Sequence, residues 1–407
     1  MLWRLLTAKL KATAPLRFTL FSAPLLDEMI VGFLVIGLPL ASKQLHLDYT
    51  QIGLLFAAGA LASTLLDPFI NLLSDRYSKR YWILCGFLLL GACFALLAYT
   101  RNFALMVCAF ALLYVANSAA VGLSEAALID QNPQESTRTM TRWTIMGNIG
   151  DLLGPIIVPF IIILPTGWST LCWIGCILWF AMAGIVGLQH FPQMTEAMKD
   201  TEDNSEEADE PSVKLLDGLR EALHDRAMIR WSILSLLPTM LDEIFIVYAT
   251  FYLRDIISVN TGMIGILLAM HMLGAFLGLF VLERVLLQRI APEQLLTWFA
   301  LLVIASMFGF LTLRSPLWAG LTLFLLGSGI VGLYPIATAQ AYKQFPGRSG
   351  TVRAVMSLGA PFEVVLPYIT GFVASRFGIV ASLCFLGTAP LLILLLKPYR
   401  KKADGQV

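Results

Sequence analysis

The 407-residue chain is 58% hydrophobic and only 14% charged, with 28 Lys and Arg against 27 Asp and Glu and a net charge of +1. Soluble chains carry about 25% charged residues, so composition excludes a water-soluble globular protein and implies a polytopic membrane protein. No basic face with interleaved aromatics occurs, which argues against a nucleic-acid partner and leaves the lipid bilayer.

The predicted elements are helices, because the apolar runs are about 20 residues long, enough to cross the hydrocarbon core, rather than the ~10 of a barrel strand. Twelve such runs lie near residues 18–41, 49–73, 81–100, 103–129, 143–164, 168–190, 231–253, 260–283, 293–313, 316–342, 352–375 and 378–397. The first follows basic residues, as a signal peptide would, but it is too long for an h-region and has no clear cleavage site. It reads as a retained span. Six cysteines (Cys85, Cys93, Cys108, Cys172, Cys176 and Cys384) all fall inside apolar runs and imply no disulfide framework. Cys172 and Cys176, at i and i+4, are read as packing residues, with a metal pair as the alternative.

Between the sixth and seventh runs, residues 191–230 open with eight acidic residues from Glu196 to Glu210. That stretch cannot bury enough apolar surface to fold. Leu216, Leu219 and Leu223 then follow helical spacing, so 213–226 reads as an amphipathic helix lying on the membrane or on the protein's own cytoplasmic face. The expected organisation is 1–190 as a first six-helix half, 191–230 as a linker and 231–407 as a second half. With both termini cytoplasmic, 23 of the 28 Lys and Arg fall inside, leaving Lys43, Arg101, Arg254, Arg314 and Arg376 outside. The positive-inside rule therefore favours this orientation, in a cell (inner) membrane.

The halves repeat. Leu26-Asp27-Glu28 in the first span returns as Leu241-Asp242-Glu243 in the seventh. Each carboxylate at membrane depth costs about 2.5–3.5 kcal/mol on the insertion scale. Gln51-Ile52-Gly53 follows the first pair and Met263-Ile264-Gly265 the second. Asp75-Arg76 ends the second span as Glu283-Arg284 ends the eighth. Parallel six-helix repeats with a site near the midplane are a transporter plan.

The loop after the second span reads Asn71-Leu72-Leu73-Ser74-Asp75-Arg76-Tyr77-Ser78-Lys79-Arg80. It resembles the signature G-x-L-a-D-R-x-G-R-R of the major facilitator superfamily, with Asn71 and Ser78 in place of the two glycines. The resemblance implies an all-α fold of twelve transmembrane helices in two pseudo-symmetric halves, with Asp75 and Arg76 locking the cytoplasmic face against the other half. Lys79 and Arg80 complete the motif. In the fifth span, Gly150-Asp151-Leu152-Leu153-Gly154-Pro155, preceded by Gly147, resembles the G-x-x-x-G-P core of the proton-driven antiporters of this superfamily. The alternative is an ordinary kinked, tightly packed helix. The arginine often found in the fourth span of the drug-exporting branch is replaced by Asn117 and Ser118.

The resemblance also places spans one, four, seven and ten around a central cavity. Their polar residues include Asp27 and Glu28; Tyr114, Asn117, Ser118 and Glu125; Asp242 and Glu243; and Ser328, Tyr334, Thr338 and Gln340. Neighbours on a helix point about 100° apart, so one member of each Asp-Glu pair is expected to face the cavity and the other a neighbouring helix. Asp151 and Glu363 lie deeper in spans five and eleven, as proton sites or packing carboxyls. His271 is read as a packing residue rather than a metal ligand. Glu125, Asp130, Arg138, Arg142, Arg348 and Arg353 are expected to form a cytoplasmic gate of ion pairs, with substrate binding by Glu125 or Arg142 as the alternative. No nucleotide, zinc or nucleophile motif occurs, so neither an enzyme nor a cofactor is expected. The leading expectation is a monomeric secondary transporter moving a small solute with protons, by antiport or efflux of an organic or amphiphilic cation. The alternatives are a metal-cation carrier using Asp27 and Asp242, and a multi-pass membrane enzyme or scaffold.

Overall fold

The computed structural model describes residues 2–45, 47, 49–162, 167–189, 211–241 and 243–398. Every regular element among them is helical. Ten stretches are long and apolar enough to cross a membrane. The helices Leu2–Leu45 and Ser136–Ile162 contain the expected first and fifth runs, consistent with twelve spans in an all-α membrane protein.

Local chemistry sets the span ends. Asn102 and Asn260 cap the fourth and eighth spans, accepting from Ala104 N at 2.9 Å and Met263 N at 2.8 Å. Asp225 caps the seventh through Ala227 N at 2.6 Å. Each cap satisfies an orphan N–H of a helix's first turn. Pro292 and Pro316 open the ninth and tenth spans, where a missing N–H costs nothing. Gly378, at φ 88°, makes the turn between the last two.

Among the described residues four spans are broken. The fourth runs as Phe103–Asn117, a π turn Ser118–Gly122, then Leu123–Gln131. The seventh runs as Arg226–Leu236, a 3-10 turn Leu237–Leu241 containing Pro238, then Glu243–Asp255. The eleventh divides into Ser349–Ser357 and Ala360–Phe377, and the twelfth into Ile379–Leu386 and Thr388–Leu396. Uninterrupted helical spacing puts Glu125 on one face with Tyr114 and Asn117. The π turn inserts a residue, and one residue is worth about 100° of rotation. Glu125, beyond the turn, is only 4% exposed.

The chain packs as two compact units. The first comprises Met1–Pro133, Arg142–Leu223 and Phe345–Leu358; the second comprises Gln134–Thr141, His224–Gln344 and Gly359–Val407. They follow the two halves except for two exchanged segments, each the beginning of a span. In the first unit, the stacked rings of Phe87 and Trp179, 5.5 Å apart, sit in the core between spans three and six. In the second, spans eight and ten approach closely along Gly274, Gly278 and Gly327, where an added Cβ would meet backbone. The helix Pro211–His224 follows the acidic stretch. Its Ala222 is buried, and its Glu221 pairs with Arg348 at 3.2 Å within the first unit.

Candidate functional site

Two arrangements in the first unit bring together six of the charged residues singled out above: Asp75, Lys79 and Asp130 in one, and Asp27, Glu125 and Arg353 in the other. The first lies at the C-terminal end of the second span. Asp75 Oδ1 accepts from Gly350 N at 2.8 Å, and Oδ2 accepts from Thr351 N at 2.6 Å and Thr351 Oγ1 at 2.7 Å. The helix Ser349–Ser357 receives no side-chain cap from its own preceding residue, Arg348. Asp75 therefore satisfies first-turn N–H groups from another element, with its negative charge at the positive end of the helix dipole. Lys79 is 8% exposed and lies between Asp75 at 3.0 Å and Asp130 at 2.8 Å. Asp130 also accepts from Ser349 Oγ at 2.8 Å.

Gly350 makes this approach feasible. A Cβ there would collide with Asn71 O and lie 2.6 Å from Asp75 Oδ1. The small residue of this contact is thus on the docked segment, while Asn71 stands where the signature has glycine. Sequence reading missed Gly350, Thr351 and Ser349, because nothing local marks a glycine whose constraint comes from a residue 275 positions away.

The remaining basic residues of the expected gate are elsewhere. Arg76 is exposed and lies over the ring of Tyr77, 5.5 Å from its centroid. Arg80 donates to Gly187 O at 2.8 Å, tying spans three and six. Arg142 is exposed in the fifth span. Arg138, in the second unit, faces Glu135 at 3.9 Å.

The second arrangement is a cavity of about 320 Å³ lined by residues of spans one, two and four and by Arg353. Its apolar wall includes Val31, Leu34, Leu113 and the edge-to-face pair Phe56 and Phe110, 5.7 Å apart. Its polar wall includes Ser63, Asp67, Tyr114, Asn117, Ser118 and Arg353. Arg353 forms an ion pair with Glu125 at 3.2 Å. The guanidinium lies against Gly122, the last residue of the π turn, where a Cβ would be 2.6 Å from Arg353 Cζ. Asn117 Nδ2 donates to Asp27 Oδ1 at 2.6 Å, so Asp27 sits directly behind the cavity wall. Asp151 is exposed on the fifth span.

The acidic pair divides between neighbours. Asp27 meets the fourth span, whereas Glu28 backs the fifth. A Cβ on Gly147 would lie 3.5 Å from Glu28 Cγ, and one on Gly150 would lie 3.0 Å from Glu28 Cβ. Gly154 sits against Met29 O and Gly32 Cα. The glycine stripe thus brings spans one and five into close backbone contact; the side chain of Pro155, just beyond it, lies outside the described residues. Asp242 also lies outside them, as does the side chain of Glu243, so the partner half of the acidic pair is not described. Glu363 is exposed on the eleventh span. His271 is buried, with Nδ1 3.2 Å from Leu323 O and its ring beside Phe245. Among the described residues no group of three or more His, Cys, Asp or Glu is gathered to hold a metal. Asp67 was not singled out by sequence reading, since a lone acid one residue before a proline matches neither motif.

The sequence profile of the Major Facilitator Superfamily matches residues 20–362. The fosmidomycin resistance protein of Escherichia coli (strain K12) is 25% identical over 173 residues, which span 42% of this chain and 40% of that protein's length. Among solved structures, the Escherichia coli fucose:proton symporter superimposes with a TM-score of 0.72 at 17% identity, covering 96% of this chain and all of that one. A bacterial homologue of the iron transporter ferroportin gives 0.71 at 13% identity, covering 93% and 98%. A proton:xylose symporter gives 0.73 at 11% identity, covering 95% and 96%. At these identities the structural likenesses establish the fold alone.

Proposed function

Since the chain belongs to the major facilitator superfamily, we propose that it is a proton-coupled antiporter that exports a small organic cation across the inner membrane by alternating access. The observation that carries this reading is the charge around the cavity of the first unit. Asp67 is in its wall, and Asp27 is bonded to Asn117 in that wall. Arg353, the one cationic side chain among the lining residues, is already paired with Glu125. With the carboxylates ionised the surroundings carry excess negative charge, which suits a cation. The aromatic and aliphatic wall suits an apolar body attached to that charge.

Asp27 is the proposed coupling group. A carboxyl held behind the cavity by one amide donor can gain a proton on one side of the membrane and lose it on the other. The glycine stripe of the fifth span, packed on the same turn of the first, supports antiport through its resemblance to the antiporter motif. Export rather than import draws on the resistance protein among the relatives. Asp75, Lys79, Asp130 and Ser349 form the proposed cytoplasmic lock.

The test is uptake of a panel of organic cations into proteoliposomes with and without an imposed pH gradient. Wild type is expected to respond to the gradient. Asp27→Asn should still fold, because neutralisation removes a membrane-depth penalty of about 2.5–3.5 kcal/mol. It should keep solute exchange while losing gradient-driven accumulation. Wild-type transport indifferent to the gradient would refute proton coupling, and preference for anions would refute the substrate class.

A further inference from the structure

We infer that Asp67 is the anchor for the positively charged head of the transported solute, in exchange with the internal cation Arg353. This rests on the cation-antiport reading and assigns its binding residue. Three independent features of the cavity support it.

First, Asp67 is the acid among the lining residues. Asp27 lies behind the wall and is engaged by Asn117 at 2.6 Å, and Glu125 is engaged by Arg353 at 3.2 Å. Asp67 Oδ1, in contrast, is buried with no hydrogen-bond partner. A buried carboxylate oxygen without a donor is costly, and a solute N–H would fill the vacancy.

Second, Asp67 shares the cavity wall with Ser118 and with Arg353, which is paired with Glu125. The cavity thus sets one guanidinium against two acids, Glu125 paired with it and Asp67 in the wall, so the three carry one uncompensated negative charge when both acids are ionised. Arg353 is held independently by Glu125 and rests against Gly122. An incoming cation can therefore take over Asp67 without leaving Arg353 stranded. An anion, by contrast, would have to displace Glu125, which is 5% exposed at its side chain.

Third, the rest of the wall is apolar and aromatic. Phe56, Phe110, Leu34 and Leu113 face the same space of about 320 Å³, near the lower end of the ~300–1,000 Å³ range of small-ligand pockets. The chemical class that fits is an amphiphilic monovalent ammonium with at least one N–H donor and a compact apolar body.

The experiment uses the full chain purified in detergent and three probes of similar size: phenethylamine as cation, 2-phenylethanol as neutral analogue and phenylacetate as anion. Binding is read as a concentration-dependent rise in Tm, since a ligand of the folded state stabilises it. Wild type should respond to the amine and not to the alcohol or the anion. Asp67→Asn should weaken amine binding by about tenfold or more, as expected for one charge-assisted hydrogen bond. Arg353→Gln should strengthen it, because the competing cation is gone. Asp67→Glu, which keeps the charge, should retain amine binding and guards against a folding defect in the amide variant. Unchanged amine affinity in Asp67→Asn would overturn the anchor. If that variant also accumulated cations normally on a pH gradient, the transport reading would stand with its anchor elsewhere. Wild-type preference for phenylacetate, or no response to the amine into the millimolar range, would overturn the anchor as well.

Discussion

Two segments that begin spans, Ser349–Ser357 in the first unit and Gln134–Thr141 in the second, each pack in a unit built mainly from the other half of the chain. They are held by different chemistry. In the first, a carboxylate caps two backbone N–H groups and a hydroxyl at 2.6–2.8 Å, backed by a buried lysine. In the second, Ser136 Oγ donates to Ala339 O at 3.3 Å, and Arg138 and Glu135 face each other half-exposed at 3.9 Å. Thr351 Oγ1 is bonded to Asp75, whereas Thr137 Oγ1 is buried with no partner. Pseudo-symmetric repeats therefore need not share work evenly. A charge placed against the positive end of a helix contributes more than a neutral hydroxyl, and it can be switched by protonation or by a competing cation.

The largest break in this asymmetry is expected from Asp75→Asn. The amide presents N–H donors to backbone N–H donors and leaves Lys79 with Asp130 alone. Removing one member of a buried charged contact costs about 3–5 kcal/mol. The docked segment should release, moving the carrier toward its inward-open state. With the natural cysteines replaced, a cysteine at Ser124, now buried, should become reactive to a membrane-permeant maleimide. Unchanged reactivity would remove Asp75 from the lock.

Gly350→Ala sharpens the same comparison from the opposite side of the contact. Its Cβ would collide with Asn71 O and crowd Asp75 Oδ1 and Ser74 Oγ, and overpacking of this kind costs about 1–3 kcal/mol. The expected result is the same gain of reactivity at position 124, smaller than with Asp75→Asn. If Gly350→Ala labels like wild type, the segment is not held as tightly as Asp75 implies.

Much of this architecture was legible in the sequence. Span lengths follow from the apolar runs, and Asp75 stood out because its motif is local. The partners of these residues were not legible. Gly350, Thr351 and Ser349 acquire meaning only when a helix start from the second half meets Asp75, and that pairing has no signature at either end. The π turn was equally hidden, since Ser118-Ala119-Ala120-Val121-Gly122 has nothing to distinguish it from ordinary helix. Its packing does: a Cβ on Gly86 would lie 2.6 Å from Ala120 N. Glu125, just beyond that turn, pairs with Arg353. Asp67 escaped notice because its significance lies in a missing partner, which only coordinates reveal.

The smallest effect is expected in the second unit's segment. Ser136→Ala removes a hydroxyl bond at the long end of the range, 3.3 Å to a backbone carbonyl that is itself part of a helix. A neutral hydrogen bond contributes about 0.5–1.5 kcal/mol, and this geometry belongs at the low end. Arg138→Ala removes a half-exposed contact at 3.9 Å, of a kind worth about 0–1 kcal/mol. Both variants should therefore leave reactivity at position 124 and gradient-driven transport within about twofold of wild type, a difference of under 0.5 kcal/mol. The double variant should remain close to the sum of the singles, because the serine's bond to Ala339 O and the arginine's contact with Glu135 share no partner. A loss comparable to that of Asp75→Asn from either substitution would mean that the second segment is held as firmly as the first. The carboxylate cap would then not be what separates the two.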